Sequence, residues 1–172
     1  MLVYLIGFMG SGKSTVGKKL SNRLGFSYID LDSAIEQTEG RTVSKIFTEE
    51  GEIYFRNIEA EVLRDCSGKS DTVISCGGGT PCFNKNMEYM NNEGQTVYLE
   101  MTAAALMSRL LHSRSKRPLI AELDDNELDQ FIRKSLAERE KWYLKSKYTI
   151  DGLNPDLNQL TSLLQSQDPY NP

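Results

Sequence analysis

The sequence predicts an α/β fold in three layers, a five-stranded parallel sheet between two layers of helices. Three observations predict it. Short apolar runs alternate with longer stretches of helical periodicity along the whole chain. The first run, LVYLI (2–6), leads directly into the glycine-rich stretch GFMGSGKS (7–14). The second and third runs end in YIDLD and SCGGGTP, groups suited to chemistry at strand ends. Alternating strands and helices give a parallel sheet covered on both faces.

The elements follow in order. LVYLI is a continuous apolar run, as a strand buried on both faces requires. A helix should start within the glycine loop and run to about Leu24, with Val16, Leu20 and Leu24 on its apolar face. FSYID (26–30) is a second strand. Thr42 is placed as an N-cap opening a helix with Val43, Ile46 and Phe47 on one face. Gly51 should break that helix, and a second resumes with Phe55, Ile58 and Val62. TVISC (72–76) and TVYLE (96–100) are strands. Thr102 caps a helix near 102–111, residues 112–124 read as a loop, and 125–145 as a helix. YTID (148–151) is a last strand. Asn154 and Pro155 read as a cap and a first helical position opening a C-terminal helix, and the tail QSQDPYNP as frayed.

Length and composition bound the answer more loosely. The 172 residues are expected to form one domain, 1–172, with an ordinary core. No apolar run reaches the roughly 20 residues of a bilayer span. The N-terminal apolar run lacks a basic flank and a cleavage site, so it does not read as a signal peptide. Three cysteines, Cys66, Cys76 and Cys82, form no CxxC pair, which points to reduced thiols and a cytoplasmic protein. The net charge of −4 argues against nucleic acid as a partner. No apolar stripe is left over once the core faces are assigned, so the expected state is a monomer without membrane or nucleic-acid partners.

Gly7, Gly12, Lys13 and Ser14 fit G-x-x-x-x-G-K-[ST], between the strand and the helix that a P-loop needs. Glycines let backbone N–H groups approach phosphate oxygens, and the helix N-terminus adds a positive dipole end. Gly10, Ser11, Gly12, Lys13, Ser14 and Thr15 would cradle nucleotide phosphates. Lys13 would reach the β- and γ-phosphates, and Ser14 would ligate Mg²⁺. Such a loop says nucleoside triphosphate without naming the reaction.

The remaining clusters narrow it. Asp30 and Asp32 end the second strand, where ligands gather in open α/β sheets. They suit Mg²⁺ organisation and hydroxyl orientation; alternatively Asp32 caps a helix starting at Ser33. Gly77, Gly78 and Gly79 allow backbone to approach a ligand, or form a tight turn. Arg139 falls on the apolar stripe of the 125–145 helix and needs an anionic partner, either a substrate carboxylate or an internal acid. Arg56 reads the same way. Arg114, Lys116 and Arg117 could close as a lid within 112–124, or form a solvated loop. The guanine-specifying NKxD motif is missing, and no strand ends in an aspartate of the motor-ATPase kind. A small-molecule kinase fits best; a kinase of a polyol acid such as gluconate is one candidate within that class, and a nucleotide-dependent binding or regulatory module is the rival from another class.

The ordered set GFMGSGKSTVGKKL, FSYIDLDSAIE, GEIYFRNIE, SCGGGTP, SRSKRPLI and AEREKWY resembles the shikimate kinases over nearly the whole chain. The resemblance implies a P-loop kinase fold like that of nucleoside monophosphate kinases. It implies transfer of the ATP γ-phosphoryl group to the 3-hydroxyl of shikimate, with Mg²⁺ as cofactor. By similarity Asp32 would hold the substrate hydroxyls and Asp30 would meet Mg²⁺ through water. Arg56 and Arg139 would clamp the shikimate carboxylate, and residues 77–79 would present N–H groups to substrate and γ-phosphate. Lys13, Asp32 and Arg117 are the implied catalytic residues, and Arg109, Arg117 and Pro155 further nucleotide contacts.

Overall fold

The computed structural model describes residues 1–113 and 118–166. Its element order is β1 (Leu2–Ile6), α1 (Lys13–Leu24), β2 (Ser27–Asp30), α2 (Leu31–Glu39), α3 (Val43–Ser67), β3 (Thr72–Ser75), α4 (Asn86–Glu93), β4 (Gln95–Glu100), α5 (Ala103–Leu111), α6 (Asp125–Tyr143), β5 (Tyr148–Asp151) and α7 (Leu157–Gln165). The strands form one parallel sheet in the order β2-β3-β1-β4-β5. β1 is central, with Leu2 opposite Thr72 on β3 and Val3 opposite Gln95 on β4.

The alternation of β1 explains the layers. Leu2, Tyr4 and Ile6 join a core with α2, α3, α4 and the end of α6. Val3 and Leu5 join a second core with Val16 and Leu20 of α1 and Leu157, Leu160 and Leu164 of α7. A third cluster, Phe8, Leu106, Leu110, Ile120, Leu128 and Ile132, binds α5 and α6 to the end of β1. The three-layer parallel architecture is therefore as the alternation of runs predicts. Among the described residues no helix is long and apolar enough to cross a membrane.

Local chemistry sets the boundaries. Thr42 caps α3, accepting from the Lys45 N–H, and Thr102 caps α5 by the same device. Gly51 does interrupt α3: its φ of 82° and ψ of 176° lie outside the helical region, and the backbone bends there. Asp124 and Glu127 form a reciprocal capping box at the start of α6.

Three expectations are corrected. The helix after the second strand begins at Leu31, and its cap is Asp30, which accepts from the Ser33 N–H. Asp32 is therefore inside the first turn and free for other work. The C-terminal helix is capped by Asp156, whose carboxylate takes the N–H groups of Asn158 and Gln159 and sets a negative charge at the positive end of the helix; Asn154 and Pro155 precede the helix. Helix α4 was not expected, because its only buried apolar residues are Met87 and Met90 and its three asparagines read as turn formers.

Candidate active site

Four of the five strands deliver a contribution to one edge of the sheet, the carboxyl edge. β1 runs into the P-loop, β2 ends at Asp30, β3 is followed by residues 77–79, and β5 by Gly152. Two clefts open along this edge. The first, about 300 Å³, is lined by Gly10, Gly12, Lys13, Ser14, Thr15, Asp30, Asp32, Gly77, Gly78 and Arg109, among others. The second, about 770 Å³, runs between Asp32, Phe47, Arg56, Glu59, residues 77–79, Leu119 and Arg139. Met9, Asp32, Gly77 and Gly78 belong to both walls, so the clefts meet at Asp32.

The first cleft is a phosphate site by construction. Gly12 is the N-cap of α1 and offers no side chain, so the amides of the first turn face the cleft mouth. The Lys13 ammonium donates to the carbonyls of Gly7 and Phe8, both at 2.9 Å, which arches it over the loop. The Ser14 hydroxyl donates to Asp30 Oδ2 at 3.0 Å, and the Tyr28 hydroxyl donates to the same oxygen at 3.2 Å. Among the described residues no group of three or more His, Cys, Asp or Glu could hold a metal by itself. A hydroxyl beside a carboxylate at a phosphate site nonetheless matches the all-oxygen preference of Mg²⁺, which takes much of its shell from phosphates and water. Arg109 donates to the carbonyls of Gly10, Ser11 and Gly152, pinning the P-loop to the turn after β5. Pro155 lies three residues beyond Gly152 and does not line the cleft. Ser11 is buried behind the loop, with its hydroxyl unpaired.

Asp32 reaches both clefts. Crowding by the cleft walls comes first, then the negative charges of Asp30 and Glu59, and together they push its carboxyl up to about 6 against the pull of Lys13.

The second cleft is basic and aromatic. Arg56 donates to Glu52 and, at 2.8 Å, to the fully buried Glu59. Its guanidinium also lies over the rings of Phe47, Phe55 and Phe83, the last at 4.3 Å. Glu59 is fixed in turn by the Thr80 hydroxyl at 2.6 Å. Arg56 thus has the internal acid that the pattern allowed. Three of its five N–H donors are committed and two are left for a ligand. Gly79 packs against this guanidinium: a Cβ there would fall 2.5 Å from Arg56 Nη2, so a larger residue would have to displace the Arg56 head group. Arg139 differs. It lies over the Phe8 ring at 5.5 Å, and among the described residues it forms no ion pair. Arg114, Lys116 and Arg117 lie outside the described residues.

Sequence reasoning assigned no role to Glu59, Thr80 or Tyr143, although FRNIE and GGGT contain the first two. Their signal is a buried polar group, which appears only once the chain is folded.

A nucleotide phosphate loop opening into a cleft with a carboxylate and two guanidinium groups defines a P-loop kinase of a small, acidic, hydroxylated molecule. The shikimate kinase sequence profile matches residues 9–165. A shikimate kinase of Parabacteroides distasonis is 45% identical over 150 residues, 87% of each chain. The crystal structure of shikimate kinase from Bacteroides thetaiotaomicron superposes with a TM-score of 0.88 at 36% identity, covering 96% of this chain and 97% of that one. Shikimate kinase from Acinetobacter baumannii, solved in complex with shikimate, superposes with a TM-score of 0.85 at 31% identity over 98% and 94% of the two chains. The chain belongs to the shikimate kinase family, and shikimate kinase activity, an ATP-dependent phosphoryl transfer, goes with that membership.

Proposed function

We propose that this chain phosphorylates the 3-hydroxyl of shikimate with the γ-phosphoryl group of ATP, and that the two clefts divide the work. ATP phosphates lie on the N–H groups of residues 10–15, with Lys13 leaving its carbonyl partners for the β- and γ-oxygens. Shikimate lies in the larger cleft with its carboxylate on Arg139 and on the two uncommitted donors of Arg56. Its 3-hydroxyl meets Asp32 where the clefts join. The observation that carries this reading is Arg139, a guanidinium in the cleft wall with an aromatic neighbour and no carboxylate partner among the described residues. Such a cation calls for an anionic ligand.

Phosphoryl transfer asks the protein for alignment and charge stabilisation more than for covalent chemistry. Asp32 orients the hydroxyl and takes part of its proton as the O–P bond forms. Gly77, Gly78 and Gly79 supply N–H groups to the acceptor and the transferred group. Mg²⁺ would be held by Ser14 and, through water, by Asp30, and it supplies charge neutralisation on the phosphates. To Arg117, which lies outside the described residues, we assign a contact with the phosphates that helps exclude water. Arg109 and Pro155 flank the adenine end. The enzyme works as a single-domain monomer in the cytoplasm, with no nucleic-acid or membrane partner.

The test is ADP release coupled to NADH oxidation, with ATP, Mg²⁺ and shikimate, gluconate or no acceptor. Strong turnover only with shikimate is expected. Arg139→Ala should raise KM for shikimate roughly 10- to 100-fold, the cost of losing a charge-assisted pair, while the Kd for ATP stays unchanged. Equal rates with gluconate or without acceptor would defeat the reading.

A further inference from the structure

Three successive glycines follow β3, and their carbonyls are disposed of differently. The Gly77 carbonyl accepts from the Thr80 N–H at 3.2 Å, and the Gly79 carbonyl from the Cys82 N–H at 2.9 Å. The first closes a turn over residues 77–80, and the second opens the short 3-10 turn Thr80–Cys82. The Gly78 carbonyl instead accepts the hydroxyl of Tyr143, at 2.5 Å, from a residue 65 positions away. Tyr143 is fully buried at the end of α6, its ring against that of Tyr98 at 5.1 Å. Gly78 has close neighbours on several sides: a Cβ on it would stand in ordinary contact, 3.4 Å from Met9 N, 3.5 Å from Arg139 Nη1 and 3.6 Å from the Gly7 carbonyl. It lies between the entrance of the P-loop and the Arg139 guanidinium, and it walls both clefts.

We propose that Tyr143 is a positioning residue of the reaction, whose hydroxyl sets the orientation of the Gly78–Gly79 peptide and with it the Gly79 N–H in the wall of the larger cleft. A peptide unit is planar and trans, so its C=O and the following N–H point in opposite directions. Holding the Gly78 carbonyl toward the core turns the Gly79 N–H away from it. Without the hydroxyl this peptide has no local partner to fix its rotation, because the bonds on either side belong to glycines with wide conformational freedom. One further feature couples Tyr143 to the acceptor. Arg139 sits one helical turn earlier on the same face of α6, and its charge acts on the Tyr143 hydroxyl. One rigid helix therefore fixes the carboxylate clamp and the glycine amides relative to each other.

The proposal rests on the placement of shikimate in the larger cleft, and Tyr143→Phe tests it, since the ring stays and one oxygen goes. We expect kcat with shikimate to fall about tenfold, as small misplacements of reacting groups do, with the ATP Kd measured without shikimate within about twofold of the parent. Tyr98→Phe, which removes the hydroxyl from the other ring of the pair, should keep parental constants. In [15N]glycine-labelled protein the Gly79 amide shift on adding shikimate should shrink in Tyr143→Phe. Parental kcat in folded Tyr143→Phe overturns the proposal, as does an equal loss in Tyr98→Phe or an unchanged Gly79 response. Absence of shikimate-dependent turnover in the parent would instead defeat the placement of shikimate.

Discussion

Asp32 shows how one side chain can be legible in type and illegible in circumstance. Its spacing from Asp30 and its place after a strand marked it for hydroxyl chemistry, with helix capping as the competing duty. The fold gives the capping to Asp30 and leaves Asp32 at the meeting of two clefts. Its carboxyl, pushed up to about 6 by crowding and by Asp30 and Glu59, must be ionised to accept a proton. The pH profile of kcat/KM should therefore fall on the acid side near pH 6, above the ordinary carboxylate range. Asp32→Asn should cost about 10²–10⁴ in kcat. The same shift has a sign for stability. The folded protein holds this proton more tightly than the unfolded chain, so the contribution is present below about pH 4 and lost as pH rises through 6. Asp32→Asn should accordingly melt slightly higher than the parent at pH 8 and equally at pH 3.5. The gain is small because the clefts keep the group in contact with water. A lower melting temperature at pH 8 would contradict the assignment.

At the scale of elements, α3 carries the substrate side of the site on both arms of its kink. Phe47 precedes Gly51 and Phe55, Arg56 and Glu59 follow it. The bend turns the first arm so that the Phe47 and Phe55 rings meet at 4.4 Å and both face Arg56. Gly51 has open space around a would-be Cβ, so the constraint is its backbone conformation alone. Gly51→Ala should cost about 1–3 kcal/mol of stability. It should also raise KM for shikimate several-fold with the ATP Kd unchanged, as thermal melts and steady-state kinetics would report. The pair Arg56–Glu59 makes the complementary test. Glu59→Leu removes the buried partner of Arg56, leaves the guanidinium to Glu52 alone and strands the Thr80 hydroxyl, and should destabilise by about 1–3 kcal/mol, whereas Glu59→Gln keeps the Thr80 contact and should lose less.

For the whole molecule, the site is a product of sheet order. Reversal on either side of β1 brings the ends of β2, β3 and β1 together around the P-loop. Ligand binding should then stabilise the fold as a unit. Shikimate at 100 times its Kd should add about 2.7 kcal/mol to unfolding, visible as a raised melting temperature. ATP with Mg²⁺ should stabilise Arg139→Ala as it does the parent, whereas the same shikimate concentration should add only about 0.4–1.4 kcal/mol there. Stabilisation of Arg139→Ala by shikimate equal to that of the parent would remove Arg139 from the carboxylate clamp.

The chain order alone determined the architecture and half of the site, because these are local properties. A strand buried on both faces reads as LVYLI, a phosphate loop needs its glycines, lysine and serine in consecutive places, and Thr42, Gly51 and Thr102 act on their immediate neighbours. What the tertiary structure decided depends on residues far apart in sequence. Asp32 came to face Glu59 and Gly77 because α3 and the turn after β3 meet the end of β2 at the carboxyl edge. Arg56 gained a buried acid because α3 packs beside the Thr80 turn, and Arg139 was left without one among the described residues. Tyr143 reached a glycine 65 positions away. Periodicity tells which side chains face inward; only packing tells which buried polar group each one meets, and so which of two similar arginines is paired and which is left to a ligand.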